Sequence, residues 1–157
     1  MYHFKACGLD NVFLKNGYQI TNSASGSGVS IDELDTLLSA IAMGIVEAER
    51  PIQAAEFKYL RLELDLTQET LGKLLDKSGQ SIALFEKGKQ PIPRLVDVAL
   101  RNYYCESKGS GDAAGLLTKL AGLDNQLSKL SDEYYQLKFS LDIGEVENKW
   151  NAESQAA

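Results

Sequence analysis

The stretch from Thr67 to Lys89 constrains this chain most, because its residues predict two short helices and the turn between them. Thr67 precedes a helix-forming run and predicts an N-cap, since its hydroxyl can accept an amide proton of the first turn. Leu71, Leu74 and Leu75 follow at a spacing that predicts one apolar helix face. The first helix therefore has room for about two turns before Asp76.

The second helix is predicted from Ser78, a further N-cap candidate. Ile82 and Phe85 are spaced three residues apart, as on one helix face. Gly88 predicts the end, because glycine readily adopts the left-handed conformation that closes a helix. Two short helices joined by a turn of three or four residues are typical of the helix-turn-helix motif.

The combined motif resembles the Cro/C1-type (Xre) DNA-binding domain of phage repressors. The resemblance covers about Gln53 to Tyr104. The motif consists of Thr67-Gln68-x-x-Leu71, Ser78-x-Gln80-Ser81-Ile82 and Phe85-Glu86-x-Gly88-Lys89. This resemblance implies a lambda-repressor-like helix-turn-helix bundle that binds double-stranded DNA.

In such a motif the start of the second helix faces the bases in the major groove. By register, the predicted base-reading residues are Gln80, Ser81, Ala83 and Leu84. Gln80 can bond bidentately to adenine, and Leu84 can contact a thymine methyl group. Gly79 and Leu84 offer no side-chain hydrogen bond where many family members carry polar residues. The sequence therefore predicts weak base reading.

The resemblance also assigns residues that contact phosphates and one structural ion pair. The predicted phosphate contacts are Gln68, Lys87, Lys89 and Arg94. Arg61 and Glu86 occupy family positions that form a partly buried ion pair between the first helix of the domain and the reading helix. Arginine suits this role because its planar fork matches a carboxylate.

Net charge is −6, which argues against indiscriminate binding to nucleic acid. Residues 51–105 carry eight basic and seven acidic residues, whereas the segments before and after them have an acidic excess. A focused basic surface on an acidic body is typical of a sequence-specific DNA-binding protein.

Residues 1–50 are predicted to form a β-hairpin followed by a helix. Val12-Phe13-Leu14 and Tyr18-Gln19-Ile20 flank an Asn-Gly turn, which is a strong hairpin signal. The Ser- and Gly-rich run from Thr21 to Gly28 predicts a flexible connector. A capping box at Ser30 to Glu33 then predicts a helix that ends near Glu49. Its expected apolar stripe is Ile31, Leu34, Leu38, Ile41 and Ile45.

Residues 51–106 are predicted to form the helix-turn-helix domain, closed by a helix with Leu95, Val98/Ala99 and Asn102/Tyr103 at helical spacing. Residues 111–150 predict one long coiled-coil-type helix, because apolar residues alternate at four- and three-residue spacing. This seam is Leu116, Leu120, Leu123, Leu127, Leu130, Tyr134, Leu137 and Leu141. The predicted fold is therefore mainly α, and the seam predicts a homodimer or packing within one chain.

Several classes of protein are disfavoured. His3 is the only histidine, so a catalytic triad has little material, and no phosphate-binding glycine loop or zinc-type cluster is present. We therefore expect no enzyme activity, metal or cofactor. Cys7 and Cys105 are too few for a disulfide framework and, with no apolar run long enough to span a membrane, predict a cytoplasmic protein.

Three hypotheses remain open. The first is a dimeric DNA-binding transcriptional regulator. The second is an antitoxin that binds a toxin protein, because the order of segments resembles MqsA-like antitoxins without their zinc site. The third is an assembly module that does not bind DNA, suggested by Gly79 and Leu84 in the reading helix.

Overall fold

The computed structural model describes residues 1–109, 137–143 and 148–152. These residues form a mixed fold rather than the predicted mainly α one. The α-helices are α1 (Leu34–Glu47), α2 (Ala54–Glu63), α3 (Gln68–Leu74), α4 (Gly79–Glu86) and α5 (Arg94–Ser107). The strands are β1 (Tyr2–His3), β2 (Val12–Leu14), β3 (Tyr18–Ser23), β4 (Gly26–Ile31), β5 (Leu137–Ile143) and β6 (Asn148–Ala152). Among these residues, no helix combines the length and apolarity needed to cross a membrane.

The chain divides into two compact units. The first unit contains Met1–Gly44 and Tyr134–Ala157, and the second contains Ile45–Glu133. The predicted division at residues 50 and 51 differs from this, because the last turn of α1 belongs to the second unit. The predicted separate domain at 111–150 also differs, because β5 and β6 belong to the first unit.

The first unit contains a four-stranded sheet with the order β1-β2-β5-β6. Strand β2 pairs antiparallel with β1 and parallel with β5, and β5 pairs antiparallel with β6. The predicted hairpin between Val12–Leu14 and Tyr18–Ile20 is therefore wrong. Its two halves are both strands, but they join different sheets.

Strand β5 contradicts part of the predicted long helix. Leu137 and Leu141 lie in this strand rather than in a coiled-coil seam. A separation of four residues places two side chains on the same face of either a helix or a strand. The spacing of these two leucines therefore does not distinguish a helix from a strand. The apolar alternation through Phe139 and Ile143 is the strand signal. The other seam residues, from Leu116 to Tyr134, lie outside the described residues.

The four-stranded sheet has a buried apolar side. Val12, Leu14, Phe139 and Trp150 are all buried. The indole Nε1 of Trp150 donates to the main-chain oxygen of Asp32 at 3.0 Å. This hydrogen bond satisfies the polar atom of a buried tryptophan and connects β6 to the chain just before α1.

Strands β3 and β4 form a separate hairpin. Their register runs from Tyr18 opposite Ile31 to Ser23 opposite Gly26. The predicted flexible connector from Thr21 to Gly28 is therefore wrong. Its Ser- and Gly-rich composition is typical of a linker, but here the ladder between the two strands pairs the backbone groups.

Helix α1 begins later than predicted. Ser30 and Ile31 lie in β4, and Glu33 has a positive φ of 49°, so the capping box at Ser30 is wrong. The buried face of the helix carries Leu37, Ile41 and Ile45. Leu34, which was predicted on that face, is exposed.

The second unit has a core of apolar side chains from α2 to α5. Phe57 and Phe85 meet edge to face, with ring centroids 6.0 Å apart. The other large side chains that are fully buried in this core are Leu60, Leu71, Ile82, Leu100 and Tyr104. Leu74, predicted on the buried face of α3, is 51% exposed.

The buried face of helix α5 includes Val98, as predicted, but not the residues at the two ends of the predicted stripe. Leu95 is 70% exposed and Tyr103 is 39% exposed, whereas Leu100 is buried. The periodicity was misleading because the buried face also contains Asp97 and Arg101, which resemble a solvent-facing pair in the sequence. Their ion pair brings both charges into the interior.

This buried pair also fixes the connection from α1 to α2. Arg101 donates to the main-chain oxygens of Ala48 at 2.6 Å and Arg50 at 2.5 Å, while its Nε donates to Asp97 Oδ1 at 2.7 Å. The amide of Ile52 donates to Asp97 Oδ2 at 3.0 Å. Arg101 also donates to the main-chain oxygens of Ile45 and Val46 in the last turn of α1, where helix carbonyls lack their usual partners four residues on. We call this set of contacts the Arg101 clamp.

Candidate functional site

Helices α3 and α4 each begin with the predicted cap. The amide of Thr70 donates to Thr67 Oγ1, and the amide of Ser81 donates to Ser78 Oγ, both at 3.0 Å. Each cap satisfies one amide that the first turn of a helix leaves without a partner. The predictions of Thr67 and Ser78 as N-caps are confirmed, and Gly88 has the expected positive φ, 66°.

The turn between α3 and α4 depends on two glycines, Gly72 and Gly79, for which no packing role was predicted. A Cβ on Gly72 would lie 2.6 Å from the main-chain oxygen of Lys77, which is too close for any side chain. A Cβ on Gly79 would lie 3.3 Å from the Cα of Glu69. The start of α4 therefore packs directly against α3. A glycine inside a helical pattern, which costs about 1 kcal/mol relative to alanine, was the available signal for Gly72.

The predicted ion pair between Arg61 and Glu86 is present. Arg61 Nε donates to Glu86 Oε1 at 2.5 Å, and Nη2 donates to Oε2 at 3.2 Å. The two side chains are 9% and 3% exposed. Arg61 also donates to the main-chain oxygen of Leu66 at 2.7 Å, so one guanidinium connects α2, the α2–α3 connection and α4.

Gln68 joins the same cluster. Its Nε2 donates to Glu86 Oε2 at 2.7 Å. The sequence predicted a phosphate contact for this side chain, and the structure directs its amide nitrogen to a carboxylate of α4 instead. Arg61, Glu86 and Gln68 together form what we call the Glu86 cluster, which ties α4 to both α2 and the start of α3.

The four predicted base-reading residues lie on α4 with different exposure. Gln80 is exposed, whereas Ser81, Ala83 and Leu84 are half-buried. The hydroxyl of Ser81 lies 3.0 Å from that of Ser78, so it is already engaged in the cap. Gln80 is therefore the polar side chain in this set that is most available to a ligand.

Two of the predicted basic contacts, Lys87 and Lys89, lie in the loop that directly follows α4. Lys87 and Lys89 are exposed, and Arg94 at the start of α5 is half-buried. The amide of Lys89 donates to the main-chain oxygen of Leu84 at 2.9 Å, which holds the loop after α4 against the helix.

Burial in ion pairs removes equal numbers of basic and acidic side chains from the surface of this region. Ion pairs remove Glu56, Glu86 and Asp97 from the surface, together with Arg50, Arg61 and Arg101. Across residues 51–105, six basic residues and four acidic residues then remain at least partly exposed. The exposed charged residues of this range therefore have a small basic excess.

Other reactive groups of the described residues lie apart from this arrangement. Cys7 donates from its Sγ to the main-chain oxygen of Phe4 at 3.1 Å, and burial raises the pKa of its thiol. The hydroxyl of Tyr104 is buried without a hydrogen-bond partner among the described residues, and burial followed by the nearby Glu63 raises its pKa to about 12. Within the same part of the chain, no group of three or more His, Cys, Asp and Glu side chains has the arrangement of a metal site.

Comparison with models of known protein families, with curated protein sequences and with solved structures returned no match for this chain.

Proposed function

We propose that this protein is a sequence-specific DNA-binding transcriptional regulator. In this proposal α3 and α4 form the helix-turn-helix of a lambda-repressor-like bundle, and α4 is the recognition helix. The observation that carries the proposal is the exposed Gln80 on the first turn of a helix that the Glu86 cluster holds from behind. A helix that reads bases needs both an accessible face and a fixed orientation.

The contacts of α4 with DNA follow from the chemistry of its side chains. Gln80 has an amide that matches N6 and N7 of adenine in the major groove. Lys87 and Lys89 supply positive charge for phosphates, which fixes the position of the protein on the duplex without reading sequence. Gln68 acts by positioning α4, because its amide nitrogen bonds to Glu86.

Base reading by this surface is narrow. Ala83 and Leu84 offer only apolar contacts, such as that with a thymine methyl group. A recognition helix with one polar base-contacting side chain has low specificity by itself. A homodimer raises the specificity, because its two recognition helices bind two half-sites about one helical turn apart. The proposed protein is therefore a dimeric regulator that acts in the cytoplasm.

Selection of bound duplexes from a random pool tests this function. The wild-type chain should enrich a short motif that contains adenine, and Gln80→Ala should lose the preference at that position while keeping the wild-type melting temperature. Gln90→Ala is the matched control, because it removes the same side chain from an exposed position just beyond α4. It should enrich the wild-type motif.

Two outcomes would contradict the proposal. If the wild-type chain enriches no sequence, α4 does not read bases and an assembly module becomes the better description. If Gln80→Ala enriches the same motif as the wild type, Gln80 is not the base-reading residue.

A second candidate function is an antitoxin that also regulates its own transcription. The observation in its favour is a separate first unit that contains none of the proposed DNA-contacting residues and so has surface available for a protein partner. Co-expression with a toxin encoded by a neighbouring gene would test it. If the full chain with Gln80→Ala still rescues growth, the first unit suffices to neutralise the toxin without base reading by α4. This result would favour the antitoxin function over regulation alone.

A further inference from the structure

The β3–β4 hairpin is unusual because solvent reaches both of its faces. Every residue from Gln19 to Ser30 is exposed. The two strands form a sheet of their own, and neither outer edge pairs with another strand of the described residues. A two-stranded hairpin is at best marginally stable in water, so this one needs a surface to pack against or pair with.

One face of the hairpin is apolar. The register places Ile20 opposite Val29 and Tyr18 opposite Ile31, and residues two apart on a strand share a face. Ile20 is 57% exposed and Val29 is 39% exposed. The Tyr18 ring lies 5.2 Å from the ring of Tyr2, which anchors one end of this face. The exposed Ile20–Val29 pair follows it, and the polar Asn22–Ser27 pair lies beyond, next to the turn.

The edges of the hairpin also lack the usual protection against pairing. Residues 16–31 contain no Asp, Glu, Lys, Arg, His or Pro. Exposed edge strands in natural proteins usually carry charges or proline, which prevent pairing with another chain. Their absence here favours a hairpin that pairs.

The absence of charge makes the hairpin a surface that a second copy can approach. The chain has a net charge of −6, so two copies repel each other across most of their surfaces. The uncharged stretch of residues 16–31 is a surface where two copies can meet without placing like charges together. A two-fold axis also pairs a strand with its own copy in the antiparallel direction, which is the geometry that a ladder needs.

Strand β3 is the better edge for this contact. Tyr18, Ile20 and Thr21 are residues that favour strands, whereas β4 contains Gly26 and Gly28. We propose that the hairpin is a homodimerisation surface, in which β3 pairs antiparallel with β3 of a second copy to form a four-stranded sheet. The surface is distinct from the proposed DNA-contacting residues, and the dimer forms without DNA.

Sedimentation of the full chain without DNA, over a range of concentrations, tests this proposal. The wild type should be a dimer. Ile20→Lys and Ile20→Glu should each weaken the dimer about tenfold or more, because each adds like charges to both of the paired β3 strands. Mixing the two variants should restore the dimer, which a merely misfolded chain would not do. Ser30→Lys is the control, because it adds the same charge on β4 and on the other face, and it should remain a dimer.

A wild-type chain that stays monomeric at high concentration would overturn the proposal, including the case in which the hairpin binds a different protein. Unchanged dimerisation in both Ile20 variants would overturn it as well. Circular dichroism of each variant should match the wild type. Because no duplex is present, a negative sedimentation result does not test DNA binding by α4. The duplex selection tests that proposal separately.

Discussion

Arg61 and Arg101, two of the three arginines buried among the described residues of the second unit, have different roles. Arg101 donates mainly to main-chain oxygens and so fixes the path of the connection from α1 to α2. Arg61 donates mainly to one carboxylate and so fixes the orientation of α4. The role of a buried arginine therefore depends on the acceptors of its hydrogen bonds. Main-chain acceptors fix the path of the chain, whereas a side-chain acceptor on another helix fixes the orientation of that helix.

The largest expected effect is on the Arg101 clamp. Arg101→Met keeps most of the side-chain volume but leaves Asp97 charged, buried and without its ion-pair partner, and leaves several carbonyls without a donor. We expect the free energy of unfolding to fall by about 3 to 5 kcal/mol. Urea denaturation followed by circular dichroism measures it.

Lys58→Met is the control for this substitution, since Lys58 is an exposed residue of α2. It should change the free energy of unfolding by less than about 0.5 kcal/mol. A similarly small effect of Arg101→Met would show that the clamp does not stabilise the connection.

A smaller effect on stability is expected at the Glu86 cluster. Glu86→Gln removes the charge that Arg61 and Gln68 share, but Arg61 keeps its bond to Leu66. We expect a loss of about 2 to 3 kcal/mol in the free energy of unfolding. Affinity for the selected duplex should also fall under conditions where the variant is fully folded, because α4 loses its fixed orientation.

Glu69→Gln is the matched control, because Glu69 forms an exposed ion pair with Lys73 on α3. Exposed pairs of this kind contribute between about 0 and 1 kcal/mol. The contrast between the two arginines fails if Glu86→Gln lowers stability as much as Arg101→Met while duplex affinity stays at the wild-type value.

The smallest effect concerns Tyr104, whose hydroxyl is buried on the same helix as Arg101 but makes no hydrogen bond within the described residues. Tyr104→Phe should change the free energy of unfolding by no more than about 1 kcal/mol at neutral pH, in the stabilising direction if at all. This result would show that a buried polar group without a hydrogen-bond partner adds no stability. The stabilising effect of the Arg101 clamp would then come from its hydrogen bonds and not from burial of polar atoms alone.

Tyr104 also gives a pH dependence. Its pKa in the folded chain is raised from 10.0 to about 12, so folding favours the protonated phenol. This contribution is fully present below pH 10 and is lost as the pH rises through about 12. Urea denaturation between these limits should show stability falling in the wild type and in the Tyr103→Phe control, with a smaller fall in Tyr104→Phe.

Local signals in the sequence predicted much of α3 and α4. The caps at Thr67 and Ser78 and the end at Gly88 depend on residues within one or two turns of each other, and each is confirmed. The Arg61–Glu86 pair was predicted from family spacing. The direction of the Gln68 amide was not, because it depends on which donors already occupy the Glu86 carboxylate.

Non-local contacts explain what the sequence did not predict. Val12 pairs with Leu137, and no turn or periodicity near either residue indicates such a distant partner. On α5, the burial of Asp97 depends on the connection that it holds through Ile52. The spacing of apolar residues cannot show that the face of a helix with charged residues is the buried face.

The position of Trp150 gives the molecule a built-in optical reporter. It is the only tryptophan of the chain, and it is 3% exposed within the first unit. Its fluorescence therefore follows the melting of the first unit. Far-ultraviolet ellipticity is dominated by helices, and most of the described helices belong to the second unit. Heating curves recorded with both signals superimpose if the chain melts as one cooperative block and separate if each unit melts at its own temperature.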